Sequence, residues 1–253
     1  MIDTHCHVHD AQYDADRDAV VARARDAGVS AMVTIGENIA DSSRAIAIAE
    51  PYEICVAVGI HPHEAKNAPA DIDAELRALL DKPGVIAIGE TGLDYYYDHS
   101  PRDRQAAVLR AQIRLARELR LPVVFHHRDA FDDFCAILRE EWAGGMRGVV
   151  HCFTGTTDEA RTFIGEFDLY LGIGGVLTFP NATGLRDAVT SVGAGKLVLE
   201  TDCPYLAPVP MRGKRNEPSF VAHTAAKLAE LLGMRLEDLI AATDHNARTL
   251  FDL

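Results

Sequence analysis

The sequence predicts an α/β protein of the (β/α)8 TIM barrel type, and three observations predict it. Eight short apolar runs, rich in β-branched residues, alternate with stretches of helical length along the 253 residues. Such alternation reads as parallel strands joined by helices. Six residues able to bind metal, His5, His7, Glu90, His126, His151 and Asp202, each stand at the carboxyl end of one of these runs. In a barrel those ends open on one mouth, where active sites are built. The length also fits a single barrel domain spanning 1–253, since barrels take about 250 residues.

The elements follow in order. Met1–Thr4 is the first strand, and a helix near Asp16–Ala27 stops at Gly28. Ala31–Ile35, a helix near Ala40–Glu50 and the strand Ile54–Ile60 come next. A helix near Asp71–Asp81 ends before Pro83 and leads to Val85–Gly89. Ser100-Pro101 starts a long helix to Arg120, with Ser as N-cap and Pro in the first turn. Val123–Phe125, a helix near Phe131–Glu140 and Gly148–Val150 follow. Then come a helix near Thr157–Glu166, the strand Leu169–Gly172, a helix near Gly184–Ser191 and the strand Leu197–Leu199. Helices near Ser219–Leu232 and Leu236–Leu250 complete the pattern. The proline-rich stretch Pro204–Pro218 reads as a loop over the barrel mouth.

Composition narrows the function classes. With 48% hydrophobic and 25% charged residues a full core is available. No uninterrupted apolar run reaches the ~18 residues of a membrane span, and MIDTHCHVHD has neither the basic nor the apolar region of a secretory signal. Five scattered cysteines, an odd number, point to reduced thiols and a cytoplasmic location. A net charge of -13 argues against a broad duplex-gripping face, because Lys and Arg supply most of that affinity. Nucleic acid would have to be handled locally, at a pocket whose metal cations supply positive charge. Phe153, Phe179 and Tyr205 offer faces for an unpaired terminal base.

Each candidate site has its own logic. Alternation along a strand turns His5 and His7 the same way and Cys6 the other, so the two imidazoles can chelate one ion. Glu90 follows a buried run and Gly89; its two oxygens can bridge two cations. Asp94 either supports the site or caps the next turn. If His126 points into the mouth, His127 faces the helical layer, leaving Arg128 for substrate and Asp129 as a helix N-cap. His151 stands in the same strand-end context. Asp202 can bind metal and take a proton from a bound water, with Glu200 as an alternative or a supporting partner. His61 and His63, in Gly59-Ile-His-Pro-His63, read as substrate contacts, as do Tyr205 and Arg215. His9 reads as a loop residue, and His99, His223 and His245 receive no role.

Taken together, these motifs, with Gly89-Glu90-Thr-Gly-Leu-Asp94, His126-x-Arg128-Asp129-Ala130, His151-Cys-Phe-Thr-Gly155, Glu200-Thr-Asp202 and Arg215-Asn216-Glu217-Pro218, resemble the TatD family along essentially the whole chain. The resemblance implies a metal-dependent hydrolase of the amidohydrolase-like barrel superfamily, with DNases and 3'–5' exonucleases among its members. It implies one metal held by His5, His7 and Asp202, a second by His126 and His151, and Glu90 bridging them. The expected function is hydrolysis of phosphodiester bonds at single-stranded or frayed DNA ends, with Asp202 as base and Glu90 catalytic through the metals. Mg or Mn is the working ion that the resemblance implies, while the nitrogen-rich donor set suits Zn, Ni or Fe. The alternative is hydrolysis of another bond, such as the ester of D-aminoacyl-tRNA or a small-molecule ester or amide.

Overall fold

The computed structural model describes residues 1–253. In chain order the elements are β1 (Ile2–Cys6), α1 (Arg17–Asp26), β2 (Ala31–Ile35), α2 (Ile39–Ala49), β3 (Cys55–Val58), α3 (Ile72–Leu80), β4 (Val85–Asp94) and α4 (Arg102–Leu119). They continue with β5 (Val123–Arg128), α5 (Phe131–Glu141), β6 (Gly148–Val150), α6 (Thr157–Phe167), β7 (Tyr170–Ile173), α7 (Thr183–Val192), β8 (Leu197–Leu199), α8 (Val221–Leu232) and α9 (Leu236–Phe251). The strands form one eight-stranded sheet in the order β1 to β8. With a helix after each strand, this is the (β/α)8 architecture.

The chain divides into two compact units, residues 1–34 with 152–253, and residues 35–151. In the first, β1 pairs in parallel with β2, and β7 with β8. The other side of β1 meets the segment after β8 through a parallel bridge between Cys6 and Cys203. There His5 O accepts from Asp202 N at 2.9 Å, and His7 N donates to Cys203 O at 2.8 Å. The second unit carries β3, β4, β5 and β6, paired in parallel in sequence order.

Two features of the second unit place its polar residues. The β4–β5 register shifts between Ile88 and Thr91, an irregularity that re-aims the intervening Glu90. β4 therefore runs on to Asp94, and Glu90 lies inside the strand instead of after it. Backbones approach closely here: a Cβ on Gly92 would stand 1.8 Å from the His126 carbonyl oxygen, and one on Gly89 would stand 2.6 Å from that of Val124. Helix α4 then locks the strand ends with two buried glutamines seven residues apart, on one helix face. Gln112 Oε1 accepts from Ile60 N at 2.9 Å, and its Nε2 donates to Ile60 O at 3.0 Å and Thr91 Oγ1 at 2.6 Å. Gln105 accepts from Asp94 N at 2.8 Å and donates to Ser100 O at 2.8 Å.

Two expected caps are corrected. Pro101, not Ser100, occupies the N-cap of α4, because the Ser100 hydroxyl donates to His63 O and accepts from Lys66 N. Asp129 precedes the N-cap of α5, which is Ala130 and makes no side-chain cap bond. Phe153 is buried against Phe163, at 6.3 Å between ring centroids, and offers no face to a base.

Candidate metal centre

In the first unit, β1 and the turn after β8 bring three donors together. His5 Nε2 and His7 Nε2 lie 3.2 Å apart, and Asp202 Oδ1 lies 3.8 Å from the first and 3.6 Å from the second. The backbone bonds between His5, His7, Asp202 and Cys203 set this meeting. Cys6, with its Sγ donating to Val33 O, points the other way. Buried Asp3 fixes the neighbouring turn by accepting from Thr201 N and Thr201 Oγ1 at 2.9 and 2.6 Å. Glu200 accepts from Cys152 N at 2.6 Å and so braces the start of the segment after β6. Donors about 2.1 Å from a tetrahedral ion lie roughly 3.4 Å from one another, so the spacing of His5, His7 and Asp202 fits a divalent cation.

In the second unit, three imidazole nitrogens surround one carboxylate oxygen. Glu90 Oε1 lies 2.8 Å from His126 Nδ1, 3.0 Å from His151 Nε2 and 3.3 Å from His61 Nε2. His61 Nε2 and His126 Nδ1 are themselves 3.2 Å apart. The group His61, Glu90 and His126 has donor atoms close enough to share one ion. His61 thus stands among the metal-ligating candidates, a placement that Gly59-Ile-His-Pro-His63 did not reveal because the loop hides its proximity to Glu90.

Asp94 ties this group down and is fully buried. Its Oδ2 accepts from His126 Nε2 and from His63 Nε2, both at 2.9 Å. Its Oδ1 accepts from the Tyr96 and Tyr97 amides at 3.1 and 2.8 Å. Both expected roles, support and turn cap, are filled at once. A carboxylate on the far nitrogen of a ligating histidine fixes its tautomer and orientation. His127 instead packs on Phe134 and Phe131, at 5.3 and 6.2 Å between centroids, toward the helical layer.

The electrostatics match. Burial alone would raise Glu90, yet the His151 and His61 charges and hydrogen bonds from His126 and His151 hold it well below the usual carboxylate range. Asp94, which burial would also raise, is lowered by bonds from His126, His63 and the Tyr97 amide. Burial pushes His61 down to about 4, only partly offset by Glu90. For His126, burial lowers the pKa, but the two carboxylates outweigh it and the net shift is upward.

The remaining predicted residues divide. His63 lies against the Glu90 group, with its ring 4.4 Å from that of His61. Arg128 is exposed and stacks on Tyr96 and Tyr97, 4.2 and 4.9 Å from their centroids. Tyr205 is half exposed, its ring 6.3 Å from His7. Arg215 is tied to Asp16 Oδ2 at 2.6 Å and lies over Tyr13, so its guanidinium already has a structural role. His9 lies in the turn after β1, as the sequence suggests, and is buried there with Nδ1 2.8 Å from Thr34 Oγ1.

Histidines and carboxylates gathered at strand ends of a (β/α)8 fold define a metal-dependent hydrolase. The model of the family described as TatD related DNase matches residues 2–252. A Bacillus subtilis protein named as an uncharacterized metal-dependent hydrolase, YabD, is 42% identical over 252 residues, covering 99% of this chain and 98% of that protein. The 3'-5' ssDNA/RNA exonuclease TatD of Pantoea vagans is 41% identical, with 100% of both chains covered. The crystal structure of YjjV, a TatD homologue from Escherichia coli, superposes with a TM-score of 0.93 at 31% identity, covering 100% of this chain and 98% of that one. The chain belongs to the TatD-related DNase family of metal-dependent hydrolases.

Proposed function

We propose that this protein is a 3'–5' exonuclease that hydrolyses phosphodiester bonds at single-stranded or frayed nucleic acid ends, using two divalent ions, Mg or Mn in the working enzyme. The observation that carries this reading is the convergence of three imidazoles on Glu90 Oε1, with a separate His5, His7 and Asp202 group of matching spacing. His5, His7 and Asp202 would hold one ion, and Glu90, His126 and His151 the other. Ions bound there lower the pKa of a water and neutralise charge on a phosphate oxygen. Asp202 would accept the proton of the attacking water. Glu90, kept ionised by its histidines, supplies negative charge that favours cation binding. Asp94 keeps His126 in the tautomer that leaves Nδ1 facing Glu90.

End-directed action follows from charge. A net charge of -13 argues against a broad duplex-gripping face, and with few phosphates neutralised, binding should vary shallowly with salt. The cytoplasm suits five free cysteines. The same charge also favours the alternative, hydrolysis of an ester in D-aminoacyl-tRNA or a small molecule. No helix is long and apolar enough to cross a membrane.

The test is hydrolysis of a labelled single-stranded oligonucleotide, nicked circular duplex and D-aminoacyl-tRNA with Mg or Mn over a salt series. Release of mononucleotides from the 3' end of the single strand, with a shallow salt slope, is expected. Faster cutting of the circle, a slope indicating roughly six or more phosphate contacts, or action on the tRNA ester alone overturns the reading.

A further inference from the structure

We infer that Tyr96, Tyr97 and Arg128 form a stacking subsite for an unpaired nucleobase next to the Glu90 group, a reading that rests on the proposed nuclease function. Tyr96 and Tyr97 are among the most exposed large apolar side chains, at 58% and 50%. Contiguous exposed apolar surface, unlike single scattered residues, marks interaction sites. Their rings meet edge to face at 4.8 Å and 89°. Arg128 lies over both, and no carboxylate pairs with its guanidinium. The imidazole of His99 stacks on Tyr97 at 5.5 Å and 22°. An exposed cluster of two phenols, a guanidinium and an imidazole offers ring faces and edges against which a base can stack, and the guanidinium adds attraction for a phosphate.

Neighbouring acids do not spoil this surface. Asp98 is bound to Arg102 at 3.0 Å, Asp133 accepts from the Tyr95 hydroxyl at 2.8 Å, and Asp94 is buried under its four donors.

Position argues as strongly as composition. The Tyr96 and Tyr97 amides are held by Asp94 Oδ1, while Oδ2 of the same carboxylate holds His126. The Tyr97 ring lies 5.5 Å from that of His63, which lies 6.0 Å from that of His126. The turn Tyr95–Tyr97 is thereby anchored to the residue that binds Glu90, at a reach of about one nucleotide. The occupant is the base of single-stranded DNA or RNA adjoining the scissile phosphate. A duplex keeps that base stacked on its neighbours and cannot offer its face.

The test uses full-length protein and oligonucleotides carrying 2-aminopurine, a base whose fluorescence is quenched by stacking, at the last, second or third position. The Glu90→Gln variant, expected to suppress cleavage, serves as the host for binding. Quenching should peak at one of these positions. Tyr97→Ala in that host should weaken binding about tenfold, the scale of one lost base stack, whereas Tyr97→Phe should keep the quench. In the cleavage-competent protein, an oligonucleotide abasic at that position should be cut about tenfold less well than its base-bearing parent. Tyr97→Ala should bring that ratio near one. DNA and RNA versions should behave alike, because the ring does not read the sugar. Quenching and ratio unchanged by Tyr97→Ala, in a protein that still degrades single strands from the 3' end, overturn the subsite and leave the nuclease reading intact. Wild-type protein that neither binds nor cuts single strands overturns both.

Discussion

Replacing Asp94 by asparagine keeps the size of a fully buried side chain and removes one of its two acceptors. Four donors face the carboxylate: the Tyr96 and Tyr97 amides on Oδ1, and His63 Nε2 and His126 Nε2 on Oδ2. An amide offers one oxygen and one NH2, so two of the four donors must meet a donor. If the oxygen stays with the backbone, His126 Nε2 must become an acceptor, and its proton moves to Nδ1. That is the nitrogen facing Glu90 at 2.8 Å, and protonated it cannot ligate. Loss of such a partner costs about 10- to 100-fold in metal affinity, or about 1.4–2.8 kcal/mol. The assay is competition for Zn or Mn against a chromophoric chelator, with circular dichroism to confirm folding. Folded Asp94→Asn protein with wild-type affinity would refute the orienting role of this carboxylate.

Two further outcomes are expected. Gly92→Ala places a Cβ 1.8 Å from the His126 carbonyl, and forced repacking of this kind costs about 1–3 kcal/mol; denaturant unfolding indistinguishable from wild type would show that β4 and β5 part freely here. Metal binding should release protons near neutral pH, because Asp94 and Glu90 raise the pKa of His126 and a cation must displace its proton, so affinity rises with pH until that group is neutral. His61, pushed down to about 4 by burial, is already neutral there and releases none. Calorimetry in buffers of different ionisation enthalpy reads the release, and an affinity that falls as pH rises contradicts it.

Much of the fold is legible because apolar runs and turn residues carry the pattern. Ala31–Ile35, Gly148–Val150 and Leu197–Leu199 read from sequence with the bounds they have in the structure. β4 and β5 run further than their apolar cores because Glu90, Thr91, Asp94 and His126–Arg128 look like loop residues, although strand pairing continues through them. The caps of α4 and α5 fail for a related reason: Ser100 is recruited by the His63 and Lys66 backbone, and Asp129 falls one residue short of the cap. The strand-end histidines and carboxylates stand out by position. The supporting layer does not, because Gln105 and Gln112 on a helix look like surface residues, and only the folded chain shows them holding Asp94 and Ile60. His61 and His99 lie in connecting segments whose proximity to Glu90 and Tyr97 no periodicity encodes.

The most direct test compares the metal content of folded His126→Ala and His127→Ala proteins by elemental analysis. These neighbours differ in what they face, His126 meeting Glu90 and Asp94 and His127 packing on Phe131 and Phe134. Protein purified with saturating Mn and then freed of excess ion should lose about one equivalent in His126→Ala and retain the wild-type content in His127→Ala. Equal loss in both variants, or none in His126→Ala, would contradict the assignment of the metal centre to the Glu90 side of β5.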